Sequence, residues 1–118
     1  MRSSTTALTL LIGAAIGAVS ACSKPGPAST PAVTSGRQVY MANCASCHNS
    51  NPSLTGAVGP AIAGASRELV EARVLEQSYP PGYKPKRATH LMRKMPWLAP
   101  KIGDLTAFID SYQPQQQK

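Results

Sequence analysis

Aromatic residues are scarce in this chain: one Trp, four Tyr and one Phe among 118 residues. Residues 36–112, the stretch with folding patterns, are too few to build a large independent core, and domains of this size ordinarily need a staple. Acidic residues are also few, five against twelve Lys and Arg, for a formal charge of +7. Such a balance speaks to partners rather than to fold. Aromatic residues are not interleaved with the basic ones, which removes the usual signature of a nucleic-acid binder. No apolar run is long enough to span a bilayer comfortably; the longest, Ala7 to Val19, follows a single base, Arg2, and precedes small residues. Residues 1–21 therefore read as a secretory signal peptide. Cysteine occurs three times, an odd number for an exported chain.

Two of those cysteines stand in Cys44-Ala45-Ser46-Cys47-His48. Thiols at i and i+3 lie on one side of a helical turn, where each can add to one vinyl group of a haem, and the next residue places an imidazole under the iron. A thiol redox pair explains neither the adjacent His48 nor the lack of a βαβ pattern. A zinc site would have to recruit His90 as its fourth ligand, with His48 and Cys47 strained by adjacency. On this motif the chain resembles the small c-type cytochromes. The resemblance implies an all-α fold, a small cytochrome c fold of about three to five helices wrapped around one covalently attached haem c. The haem is then the staple.

The third cysteine stands in Val19-Ser20-Ala21-Cys22, which resembles a bacterial lipoprotein box with Cys22 as the lipidated N-terminus. Ordinary cleavage after Ala21 would instead leave a free exported thiol and a soluble periplasmic protein. Acyl chains on Cys22 would hold the protein at a membrane, each buried methylene contributing ~0.8 kcal/mol. Ser23 is not the aspartate that marks inner-membrane retention in some bacteria, which points to the outer membrane. Cleavage removes Arg2 and no acid, so the charge falls from +7 to +6.

Residues 22–35 are rich in Pro, Ser, Thr and Ala and read as a lipidated N-terminus and flexible tether. The cytochrome domain is expected over 36–112, with a polar tail at 113–118. A short first helix should run from about Ser35 into the haem motif, with Gly36 and Tyr40 on one face. In the family such a pair lets the first helix cross the last. Asn49 to Ala65 is loop, punctuated by Pro52, Gly56, Gly59, Pro60 and Gly64. Gly59-Pro60-Ala61-Ile62-Ala63-Gly64 looks like the family's Gly-Pro-x-Leu-x-Gly stretch, and the resemblance implies that the Pro60 carbonyl bonds the second ring nitrogen of His48.

Ser66 is a good N-cap for a helix to about Tyr79, stopped by Pro80-Pro81-Gly82. A short helix is expected over about Arg87 to Lys94, closed by Met95-Pro96. Proline at 96 pushes Met95 toward an extended conformation, and a late Met-Pro step is where the family carries its distal ligand. His90 and Met92 remain the rivals for that role. Tyr83 and Trp97 flank the loop, placed to bond a haem propionate or to cover the haem edge. A last helix from Pro100 to about Tyr112 carries the stripe Ile102, Leu105, Phe108, Ile109 and Tyr112.

With His48 and Met95 on the iron the expected function is one-electron transfer on the periplasmic side, without enzymatic activity or a small-molecule substrate. Lys84, Lys86, Arg87, Arg93, Lys94 and Lys101 lie between Gln77 and Gly103 with no acid among them. They suit a redox protein partner with an acidic docking face. Two other readings stay open. One is a haem enzyme or gas sensor with a labile distal ligand; the other is a haem relay subunit of a larger respiratory complex.

Overall fold

The computed structural model describes residues 29–112, and among these every regular element is helical. The expected signal peptide, the lipidation candidate Cys22 and residues 113–118 lie outside the described residues.

The first helix, α1, spans Pro31–Asn43, starting earlier than the expected Ser35. Its start is set locally: the Thr30 hydroxyl accepts from the Val33 N–H at 3.2 Å, and Pro31 occupies a first-turn position where no amide is needed. Residues 31–35, expected as part of the tether, are thus helical. At the other end the Cys44 N–H donates to the Tyr40 carbonyl at 2.8 Å. A single turn, α2 (Ala45–His48), comes next and stops where Asn49 takes φ 73° and ψ 150°, outside the helical region.

After a loop, α3 (Arg67–Glu71) begins at Ser66, whose hydroxyl accepts from Leu69 N–H at 3.3 Å. The helix does not run on regularly to Tyr79. It widens into a π-helical turn over Ala72–Glu76, closed by Gln77 at φ 59° with its N–H on the Ala72 carbonyl. The expected helix from Arg87 to Lys94 is absent. That segment is irregular and exposed for the most part, with its carbonyls engaged by another part of the chain: the Gln77 side-chain amide donates to His90 at 3.2 Å and Met92 at 2.9 Å. A non-helical chain covers more than twice the distance per residue, ~3.3 against ~1.5 Å, and this segment has distance to cover across a cavity. A 3₁₀ turn, Pro96–Lys101, then leads into α4, Ile102–Asp110.

The core lies where α1 crosses α4. Tyr40, Ile102, Leu105, Phe108 and Ile109 are buried to within about 2% of exposure, with Val70, Val74 and Leu98 beside them. Tyr40 and Phe108 rings lie 5.1 Å apart and Phe108 and Tyr112 5.2 Å apart, the latter edge-on; half of the six aromatics are spent here. Gly36 makes the crossing close, since a Cβ at this position would overlap the Asp104 carbonyl and stand 2.9 Å from Phe108 Cβ. At the rim the Ser35 hydroxyl donates to the Asp104 carboxylate at 2.6 Å. That bond, and after it Lys101, holds the Asp104 carboxyl below its ordinary range. Its contribution to stability is thus present above the unfolded aspartate pKa and fades as pH falls through the folded one.

Candidate haem site

α1 delivers the motif to a cavity of about 910 Å³ between α2, the 58–66 loop, α3 with its π turn, and the 79–97 segment. This is the upper part of the range for small-molecule and cofactor pockets. Tyr40, fully buried, donates its hydroxyl to the Asn49 carbonyl at 2.8 Å and lies 3.4 Å from that of His48, so the core residue that packs the helix crossing also anchors the end of the motif. Burial raises the Tyr40 hydroxyl far above its ordinary pKa, which keeps it a donor.

Cys44, Cys47 and His48 all line the cavity. Cys44 is buried and Cys47 exposed. Burial, reinforced by Cys47, pushes the Cys44 thiol up to about 11, unlike the low-pKa thiolates of disulfide-exchange proteins. The zinc alternative also loses its footing: among the described residues no group of three or more His, Cys, Asp or Glu side chains is placed to hold a metal ion.

The His48 Nδ1 lies 2.9 Å from the Pro60 carbonyl. A carbonyl only accepts, so this nitrogen carries the proton and Nε2 keeps its lone pair. Gly59 lets the loop come close, because a Cβ there would stand 2.5 Å from the imidazole ring. Met92 and Met95 both line the same cavity and are half-buried. Met95 sits at φ −133°, ψ 69°, off the helical region as the following proline requires, and its N–H donates to the Val74 carbonyl. His90 is exposed and is not part of the lining.

Tyr83 lines the cavity and stacks on Tyr79, ring centroids 5.5 Å apart. Trp97 lines it too but remains 65% exposed, the position of an edge cover. One residue that sequence reading passed over belongs with them. Arg73 is 9% exposed, reaches the cavity, sits 4.3 Å over the Tyr79 ring, and has a fully buried Nη1 with no hydrogen-bond partner. Its signal in the sequence is an arginine three residues after Val70 on the apolar face of its helix. A buried guanidinium donor without an acceptor is costly and calls for an anion.

The residues fit a haem: two thiols, an imidazole and two thioethers line one cavity, with a buried donor lacking an acceptor beside them. The family model described as cytochrome C oxidase, cbb3-type, subunit III matches residues 31–107. The chain belongs to this family of c-type cytochromes. The helical structure agrees, and the start of the match coincides with that of α1. No curated protein and no solved structure matches the cytochrome. Haem-based electron transfer is the work of such a domain.

Proposed function

We propose that this cytochrome is an exported one-electron carrier. Its single haem is attached through Cys44 and Cys47 and ligated by His48 and Met95. The observation that carries the reading is the commitment of His48 Nδ1 to the Pro60 carbonyl, which leaves Nε2 as the ring nitrogen available for an iron, on a residue that lines one cavity with both cysteines and Met95. Bound there, the haem supplies a reversible one-electron couple. The chain's residues do the rest. The thiols of Cys44 and Cys47 would tether it, the Pro60 carbonyl orients the imidazole and raises its basicity, and the Met95 thioether would be the second iron ligand, favouring the reduced state relative to a second histidine. Arg73 offers its free Nη1 to a haem carboxylate, with Tyr83 and Trp97 covering the edge.

Export, and an anchor at Cys22, rest on the signal-peptide and lipoprotein-box residues. The experiment is the oxidised optical spectrum of the mature protein, produced in a bacterium that attaches c-type haem and recovered from membranes with detergent. A weak long-wavelength charge-transfer band from sulfur on ferric iron is expected. Met95→Ala should abolish it and lower the potential by on the order of 0.1 V, well inside the ~0.8 V span that axial ligands command. Loss of the band in Met92→Ala but not Met95→Ala would transfer the role to Met92. A low-spin spectrum without the band points to His90, and a high-spin spectrum with rapid carbon monoxide binding to a sensor or enzyme.

The exposed bases Lys84, Arg93, Lys94 and Lys101 suit an acidic redox partner. Electron transfer to such a partner should slow at least roughly tenfold as the Debye length shrinks from ~30 Å at 0.01 M salt to ~8 Å at 0.15 M; a flat rate rejects the acidic partner. A second reading, a haem relay within a respiratory complex, is favoured by the family's description as an oxidase subunit, and differs in the partner alone.

A further inference from the structure

The loop that presents the Pro60 carbonyl to His48 is fastened from two directions. From the motif side the Val58 and Gly59 N–H groups donate to the Cys47 carbonyl at 3.3 and 2.8 Å, and the Gly56 N–H donates to Gly59 at 3.0 Å. From across the cavity Lys86 Nζ donates to the Ala61 carbonyl at 2.9 Å, and Arg87 Nη1 donates to the Val58 carbonyl at 3.0 Å. The two cations thus bracket Gly59-Pro60, one on each flank. Charge-assisted bonds of this kind are roughly twice as strong as neutral ones. The loop has little slack against the ring, for a Cβ on Gly59 would already stand 2.5 Å from the imidazole. A small displacement of the loop therefore alters the His48–Pro60 bond directly.

We propose that Lys86 and Arg87 are positioning residues for the His48 imidazole, acting through the 58–61 loop. The inference rests on His48 being the iron ligand. It gives two members of the basic segment a task separate from partner steering: they clasp the wall that orients one axial ligand to the segment that leads to the other. The clasp keeps the Pro60 carbonyl on Nδ1, and with it the electron-donating character of the ring.

Two effects of removing these residues have opposite signs, which makes the proposal testable. Deleting positive charge near the haem stabilises ferric iron and lowers the potential. Loosening the Nδ1–H bond makes the imidazole a poorer donor, which destabilises ferric iron and raises it. The experiment is potentiometry of the intact haem protein as Lys86→Gln/Arg87→Gln, with Lys94→Gln as the charge control on the same segment. The double variant should shift the oxidised-to-reduced ratio at fixed potential about threefold toward reduced, ~30 mV upward for one electron. The control should fall or stay. The His48 Nδ1 proton, followed by NMR in the reduced protein, should exchange faster in the double variant only. Lys86→Arg/Arg87→Lys, which keeps both charges and both donors, should restore both readouts. A fall or no change in potential, or unaltered proton exchange, overturns the clasp. Both side chains are exposed, so the substitutions leave the core intact. If His48 is not the ligand, the wild-type spectrum shows it before any variant is made.

Discussion

Alanine at Gly36 should unfold the cytochrome at a much lower temperature than the native chain. The added methyl has nowhere to go, because the obstacle is the Asp104 backbone carbonyl rather than the end of a flexible side chain, and Phe108 Cβ stands behind it. Glycine ordinarily weakens a helix interior, so on an open surface this substitution would stabilise α1 by roughly 0.5–1 kcal/mol. Here overpacking wins: forcing extra volume into a tight contact costs typically about 1–3 kcal/mol, and a rigid backbone neighbour argues for the upper end. For a domain of this size ~3 kcal/mol corresponds to a melting temperature lower by roughly 12–24 °C. Thermal melts followed by helix signal decide it; a melting point unchanged or raised would mean that α1 and α4 do not cross at Gly36. Because Tyr40 on the same face holds the His48 and Asn49 carbonyls, separating the helices should also loosen the haem motif.

Arg73→Met should have an effect of similar size by a different route. The substitution keeps much of the side-chain bulk and removes the buried guanidinium, so a haem carboxylate that it neutralises is left without its cation. Removing one partner of a buried ion pair costs about 3–5 kcal/mol. The unpartnered carboxylate then takes up a proton near neutral pH, since burial disfavours its charged form. Its charge favours ferric iron, so the potential of the variant should fall as pH rises from about 5 to about 8, whereas the native potential stays flat. Potentiometry across that range, with denaturant melts, checks both parts. A variant equally stable and equally flat with pH would show that Arg73 meets no carboxylate.

The parts of this molecule that were legible in the sequence are those where neighbours along the chain carry the information. The cysteine pair and His48 are adjacent; the stripe on α4 has helical spacing and is buried at Ile102, Leu105, Phe108 and Ile109; Gly36 and Tyr40 share one face of α1. The Pro60 carbonyl was reachable only through the resemblance, and the structure places it on His48 Nδ1. The hidden parts depend on contacts between distant segments. The Arg87–Lys94 stretch contains residues that a helix tolerates, but its carbonyls are taken by Gln77, and the Met95 amide just beyond it is taken by Val74. In the sequence Lys86 and Arg87 read as part of a basic docking face, because their acceptors lie 25 and 29 residues earlier. Arg73 was passed over, although an arginine three residues after Val70 stands on an apolar face, and the cavity gives it a purpose.

The widened turn at Ala72–Glu76 bears on how this site withstands mutation. In an uninterrupted α-helix every interior carbonyl is committed four residues onward. The helix ends at Gln77, whose left-handed turn sends both its own amide and that of Ser78 to Ala72; the Val74 carbonyl, in the last turn, has no intrahelical partner, and the Met95 amide takes it. The joint between the helix and the methionine step is thus made of main chain on both sides. Drift in the side chain at 74 is constrained by packing alone, and the joint itself survives any replacement there that keeps the turn. Its vulnerability is to length: losing one residue from the turn would rotate the helix end by ~100° and carry the acceptor carbonyl away from the Met95 amide. Related chains should therefore vary more freely in residue identity across this turn than in the number of residues it contains.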